Sequence, residues 1–304
     1  MRWFETPSFD FIKAHKVVYV ISGILLVISI IAILTKGLQY GIDFKGGKEF
    51  VLEFDNPVEV TEVRKALADP LDGAPVVKLF GSPRDVLIRT DNPGSVVEVQ
   101  NIITNTLQQL YTDNDMTVIK TDIVGARFAE DLKAGALNAI IFALIVIFIY
   151  ILIRFKDWRF SAGAVAALFH DVIIVLGVFT ILGDHVPFSL EIDQTLIAAF
   201  LTIVGYSLND TVVVFDRIRE NSLLYKTMAY SKMVNKSLND TLSRTIITSL
   251  TTLFVVTVLF LFGGEVLKGF SFALMIGIVI GTYSSLFIAS SMVVELEERK
   301  QKAS

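Results

Sequence analysis

The chain has 304 residues, 53% of them hydrophobic, and a formal net charge of −4 from 27 basic and 31 acidic side chains. That composition excludes an ordinary soluble domain and offers no broad basic surface for nucleic acid. The absence of cysteine excludes disulfides, thiolate metal sites and cysteine nucleophiles. It reads as a multispan membrane protein.

Residues 1–16 mix Trp3, Phe4, Phe9, Phe11 and Ile12 with Arg2, Lys13 and Lys16, a pattern expected of an interfacial flank to the first span. Val17 to Thr35 carries no charge over 19 residues, enough at about 1.5 Å per residue to cross about 30 Å of hydrocarbon, and no small-residue cleavage site follows it. This is span one, read as a retained anchor. From Lys36 to Lys133 charges return. Alternation predicts strands at Lys48–Asp55, Val76–Phe80, Asp85–Thr90 and Thr117–Val124, with helices at Val58–Ala68 and Ser95–Tyr111 between them. The order βαββαβ predicts a ferredoxin-like split sandwich. Gly41-Ile42-Asp43-Phe44-Lys45-Gly46-Gly47, just before the first strand, predicts a structural turn, because no following helix with Lys-Ser or Lys-Thr completes a phosphate cradle.

Five further spans are expected at Ala134–Ile153, Phe160–Leu182, Gln194–Phe215, Thr245–Phe262 and Gly269–Val294. The fold class is therefore a membrane all-α bundle of six helices carrying an inserted α+β ferredoxin-like domain at 36–133. The turn 154–159 and the connector 216–244 are rich in Lys and Arg, whereas Gly183–Asp193 has none. The basic loops, both termini and the tail 295–304 are thus expected in the cytoplasm, and the inserted domain outside. The connector is expected to lie along the membrane with Met233, Leu238 and Leu242 near one face. In span six, Ala273, Gly277, Gly281, Ser285 and Ala289 fall four apart, a ladder that lets another helix approach closely.

A carboxylate near the middle of a membrane helix costs about 2.5–3.5 kcal/mol on insertion scales, so Asp210 needs a partner, a wet cavity or a proton. Thr202, Tyr206, Asn209 and Asp210 are expected on one side of span four, and Arg244, Thr248 and Thr252 on one side of span five, where Arg244 can approach Asp210. Either a working relay or a permanent ion pair satisfies that pattern. Asp171 and His170 sit in span three, about 100° apart on the helix, and are not expected to face one site equally; each can relay a proton or merely pair. Arg217 and Arg219 at a helix end are read as ordinary surface charges. No metal spacing, nucleophile elbow or cofactor motif is present, so no enzyme activity, metal or cofactor is expected.

Gly41-Ile42-Asp43-Phe44 with Gly46-Gly47, His170-Asp171, the stretch Gly205–Asn221, Ser243-Arg244-Thr245 with Thr248-Ser249 and Thr251-Thr252, and Gly281-Thr282-Tyr283-Ser284-Ser285 together resemble the SecF family of the resistance-nodulation-division superfamily. Lys45 and Lys48 stand where that family more often carries Thr. The resemblance implies a multi-pass protein of the bacterial inner membrane that pairs with SecD, associates with the SecYEG channel and uses the proton gradient to draw unfolded secreted chains across after insertion by SecA. The resemblance extends the expected partners to YajC and YidC. It also implies that Asp210 is the proton-pathway carboxylate and Arg244 its partner. Two other readings stay open: half of a small-molecule or lipid exporter of the same superfamily, and a scaffold subunit with no relay of its own.

Overall fold

The computed structural model describes residues 8–73, 75–183, 185–186 and 188–303; Trp3 and Phe4 of the expected interfacial flank lie outside them. Among the described residues six helices are long and apolar enough to cross a membrane. The chain divides into two compact units, one holding the residues up to Leu38 with Asn138–Ile181 and Leu196–Ser304, the other Gln39–Leu137 with Leu182–Thr195.

The first unit is helical. It contains α1 (Phe11–Lys36), most of α5 (Ala126–Phe155) and α6 (Trp158–Leu182), then α7 (Gln194–Leu224), α8 (Tyr230–Phe262), α9 (Glu265–Ser284), a π-helical turn (Ser285–Ala289) and α10 (Ser290–Ala303). Asp10 caps α1 by accepting from the Lys13 N–H. Asn235 and Asn239 of α8 accept from the Phe11 and Phe9 N–H groups at 2.8 and 2.9 Å, which satisfies further donors at that helix end. The connector 216–244 is not a separate helix. Its residues prolong α7 to Leu224 and begin α8 at Tyr230, and Met233, Leu238 and Leu242 are buried with Val214, Phe215 and Ile218 in one apolar cluster. Burying those three side chains against α7 outweighs leaving them on an isolated amphipathic strip.

The ladder of small residues packs as helix contacts. A side chain added at Gly277 would meet Ile203 at 2.4 Å, and one at Gly281 would meet Ser207 at 3.0 Å, so successive rungs of α9 rest on successive turns of α7. Gly177 of α6 lies so close to Ser29 of α1 that a Cβ there would fall 2.2 Å from the Ser29 Cβ.

The second unit is built on a four-stranded antiparallel sheet of β1 (Gly47–Phe54), β2 (Val76–Phe80), β3 (Ser82–Thr90) and β4 (Met116–Val124), in the order β2-β3-β1-β4. The expected βαββαβ order and ferredoxin-like sandwich are present. One face, with Phe50, Leu52, Val77, Val86 and Ile88, buries against α3 (Val60–Ala68) and α4 (Val96–Leu110). Ser95 and Glu98 form a capping box that starts α4. Before β1 the expected turn contains one short helix, α2 (Ile42–Lys45). Gly46 and Gly47 follow at φ +76° and +112°, and a Cβ on Gly47 would press into the Thr90 carbonyl oxygen at 2.9 Å.

The other sheet face carries a row of alternating charges drawn from every strand. Lys78 of β2 donates to Glu191 at 3.1 Å, Arg89 of β3 donates to Glu191 at 2.8 Å and to Glu49 of β1 at 2.6 Å, and Lys120 of β4 reaches Glu49 at 3.5 Å. Glu191 comes from the short loop after α6. That loop also bonds through the Ile192 carbonyl to the Gly41 N–H at 2.9 Å, and the Gln194 N–H donates to Asp43 at 2.9 Å. Burial pushes the Glu191 carboxyl up, but hydrogen bonds and charges from Arg89 and Lys78 outweigh it and hold the group below the usual carboxylate range. A carboxyl depressed in the folded state stabilises above its unfolded pKa, about 4.3, and loses that contribution as pH falls through the folded value. Glu191→Gln should therefore cost about 2 kcal/mol at pH 7, read as a lowered unfolding midpoint of the detergent-solubilised chain, with the deficit closing below about pH 4. A deficit that is the same at both pH values would contradict this account.

Candidate functional site

Two buried carboxylates lie inside the helical unit, and each is met by hydroxyl groups from neighbouring helices. Asp171 of α6 is 0% exposed. Its Oδ2 accepts from Ser207 of α7 at 2.7 Å and from Ser284 of α9 at 2.8 Å, while Oδ1 lies 3.0 Å from His170 Nδ1. The other ring nitrogen of His170 is 3.1 Å from the Ser22 hydroxyl of α1. That hydroxyl meets Tyr283 of α9 at 2.9 Å, and Tyr283 also donates to the Val18 carbonyl at 3.2 Å. Adjacent residues on one helix thus touch each other yet address different neighbours: Asp171 turns to α7 and α9, His170 to α1.

Asp210 of α7 is 4% exposed and lies 3.4 Å from the Ser249 hydroxyl of α8. Ser249 in turn sits 2.7 Å from the Thr282 hydroxyl of α9, which donates to the Ile278 carbonyl at 2.7 Å. Arg244 acts on Asp210 electrostatically. Among the described residues no ion pair within 4 Å joins them, and Arg244 is exposed in this chain.

The buried stripe of α8 is Thr241, Thr245 and Ser249, one residue round from the expected Arg244, Thr248 and Thr252. One residue is about 100° of helix rotation, enough to change which side chains face inward. Thr248 and Thr252 spend their hydroxyl protons on their own backbone, at the carbonyls of Arg244 and Thr248. On α7 the buried polar residues are Ser207, Asp210, Thr211 and, towards the helix end, Asn221, while Asn209 and Thr202 are exposed and Tyr206 is half-buried. The Tyr206 hydroxyl is buried without a hydrogen-bond partner among the described residues. Asp216 pairs with Arg154 at 2.9 Å, and Arg217 with Asp240 and Glu220, as surface charges do.

Ser207, Ser249, Thr282, Tyr283 and Ser284 lie in the motifs that carry the family resemblance but receive no site role from the sequence, and Ser22 lies in none of them. Small hydroxyl residues in an apolar run look like packing residues, so only their spacing from a carboxylate marks them. Ser207, one turn before Asp210, was recoverable that way; Ser22, from the first span, was not.

Six apolar spans among the described residues, two hydroxyl-bonded carboxylates within them and a ferredoxin-like domain inserted after the first span define a polytopic membrane protein. The family model described as protein export membrane protein SecD/SecF, C-terminal, matches residues 103–299, and that of the SecD/SecF GG motif matches residues 31–58. The protein translocase subunit SecF of Rhodothermus marinus is 57% identical over 98% of this chain and 96% of its own length. That of Haemophilus influenzae is 40% identical over 97% and 88% respectively. Among solved structures, SecDF of Thermus thermophilus, a translocon-associated membrane protein, superposes with a TM-score of 0.85 at 36% identity over 97% of this chain. SecDF in its super-membrane-facing form gives 0.72 at 34% identity. The chain spans 40% of the length of either SecDF chain. It belongs to the SecF family.

Close approach of α9 to α7 is what lets Ser207 and Ser284 reach Asp171 together. Gly281→Val should lower the unfolding midpoint of the detergent-solubilised chain by an amount corresponding to about 1–3 kcal/mol. Gly205→Val, on the exposed face of α7 where an added Cβ meets nothing within 4 Å, is the control and should change it by less than half as much. Equal losses would mean that the 207–281 contact does not hold the site.

Proposed function

We propose that this chain is a subunit of the Sec protein translocase which works with a SecD partner and converts the proton gradient into late-stage movement of unfolded polypeptide across the bacterial inner membrane. Both termini and the basic turns face the cytoplasm, and the ferredoxin-like domain lies outside. The relatives named above are translocase subunits, and the solved neighbours are translocon-associated, which supports the cargo.

The observation that carries the proton step is the setting of Asp210. It is buried in an apolar helix bundle, its nearest partner is a neutral hydroxyl at 3.4 Å, and the nearby cation, Arg244, stands outside ion-pair distance. A static structural pair would hold the two in direct contact. Here Asp210 can exist either as a neutral acid or as an anion drawn to Arg244. One charge crossing about 100 mV releases about 2.3 kcal/mol, comparable to the cost of setting a carboxylate in a membrane helix, so the gradient is able to bias the two forms. The scaffold reading requires that the gradient be used elsewhere.

The test is export of a reporter preprotein in vesicles reconstituted with the SecD partner, the channel and SecA, once ATP-driven insertion has ended. Asp210→Asn should abolish the gradient-stimulated completion while leaving complex assembly intact. Undiminished stimulation would leave the chain as a scaffold.

A further inference from the structure

The sequence Thr282-Tyr283-Ser284 presents three successive side chains to three different neighbours: Thr282 to Ser249 of α8, Tyr283 to Ser22 of α1, and Ser284 to Asp171 of α6. Successive residues on a helix point about 100° apart, so one short segment can touch three surrounding helices. We propose that Ser249 and Thr282 are positioning residues for Asp210, a two-hydroxyl relay whose donor direction reverses with the proton on that carboxyl. The inference rests on the proton-coupled reading above.

The number of available protons sets the direction of these bonds. Three contacts run in series, from Asp210 to Ser249 at 3.4 Å, from Ser249 to Thr282 at 2.7 Å, and from Thr282 to the Ile278 carbonyl at 2.7 Å. Each hydroxyl supplies one donor, and the carbonyl supplies none. With Asp210 ionised there are two protons for three contacts. Ser249 then donates to Asp210 and Thr282 donates to Ser249, so the Ile278 carbonyl loses its side-chain donor. With Asp210 protonated there are three protons. Asp210 donates to Ser249, Ser249 to Thr282, and Thr282 to Ile278, and every contact is satisfied. The two hydroxyl protons turn about their own oxygens, and only the proton on Asp210 arrives or leaves.

The charge state of α7 is in this way written onto the backbone of α9. The carbonyl that gains or loses a donor lies one turn before Thr282, and the π-helical turn at Ser285–Ala289 begins three residues after it. A π-turn is a place where a helix holds one extra residue and where its register is able to shift. The charged group that acts on Asp210 is Arg244 from α8, while the His170–Asp171 pair of α6 is engaged with Ser22, Ser207 and Ser284. Tyr283 of α9 is engaged with Ser22 and Val18 instead.

The experiment compares Ser249→Ala, Thr282→Val, the double variant and the conservative Thr282→Ser, each in the full chain. In the reconstituted export assay, either single change should reduce the gradient-stimulated rate about tenfold, the effect of one hydrogen bond. The double variant should be no slower than the singles, because both remove one unit. Thr282→Ser should restore the rate. A second readout needs no transport: the carboxyl stretching band that disappears in Asp210→Asn, followed by infrared difference spectroscopy across a pH jump. That band should move in Thr282→Val, although Thr282 does not touch Asp210, and should return to its place in Thr282→Ser. A multiplicative, roughly hundredfold loss in the double variant would mean two independent packing defects and would overturn the relay. So would an unmoved band in Thr282→Val. If Asp210→Asn itself keeps full gradient stimulation, the proton-coupled reading falls first; if it loses stimulation while Ser249→Ala and Thr282→Val keep it, the relay alone is wrong.

Discussion

A carboxylate sealed inside an apolar bundle must be met by donors, and no single helix can supply them, because its backbone N–H groups are already committed to its own turns. Asp171 makes the requirement explicit. Its oxygens receive hydroxyls from α7 and α9 and the imidazole beside it, and the imidazole reaches on to α1. Four helices are thereby fixed in rotation about one side chain. The apolar contacts around them would tolerate small slips, whereas hydrogen bonds of 2.7–3.1 Å would not. The glycine rungs of α9 serve the same end by letting its backbone close on α7.

The two carboxylates are differently served. Asp171 is saturated with short bonds and stands as a fixed joint. Asp210 has one long contact, to Ser249, and the nearby cation, Arg244, stands outside ion-pair distance. Helices α7 and α9 meet at both: Ser207 and Ser284 bond Asp171, while α7 bears Asp210 and Thr282 of α9 holds Ser249.

Much of the architecture was legible in the residues because the physics there is local. Six apolar runs of sufficient length announce six spans, and strict alternation between turn residues announces the strands of the inserted domain. The strands at Val76–Phe80 and Thr117–Val124 fall within a residue of their observed bounds. Burial cost alone singled out Asp210, Asp171 and His170. Helix rotation was harder to read. The stripe Arg244, Thr248, Thr252 and the stripe Thr241, Thr245, Ser249 have the same period, and only the packing of α8 against α7 and α9 decides between them. Hydroxyls were hardest, because serine in a membrane helix satisfies itself on its own backbone as readily as it reaches across. Nor did the charge pattern show that Glu191, in a short loop far along the chain, completes a row of ions begun by Lys78, Arg89, Glu49 and Lys120.

That loop has a mechanical meaning. Because Leu182–Thr195 folds with the sheet domain, the chain passes between the two units after Leu38, after Leu137, after Ile181 and after Thr195. The domain is consequently not a bead on two strings. A force applied to it is delivered through four covalent lines, along α1, α5, α6 and α7, and two of those lines are the very helices that bear His170, Asp171 and Asp210. Helices α8 and α9 receive no direct pull. Tension on the domain would load one side of each carboxylate's hydroxyl cage and leave the other side slack, so that the bonds from Ser249 to Asp210 and from Ser284 to Asp171 form the seam along which such a load is felt.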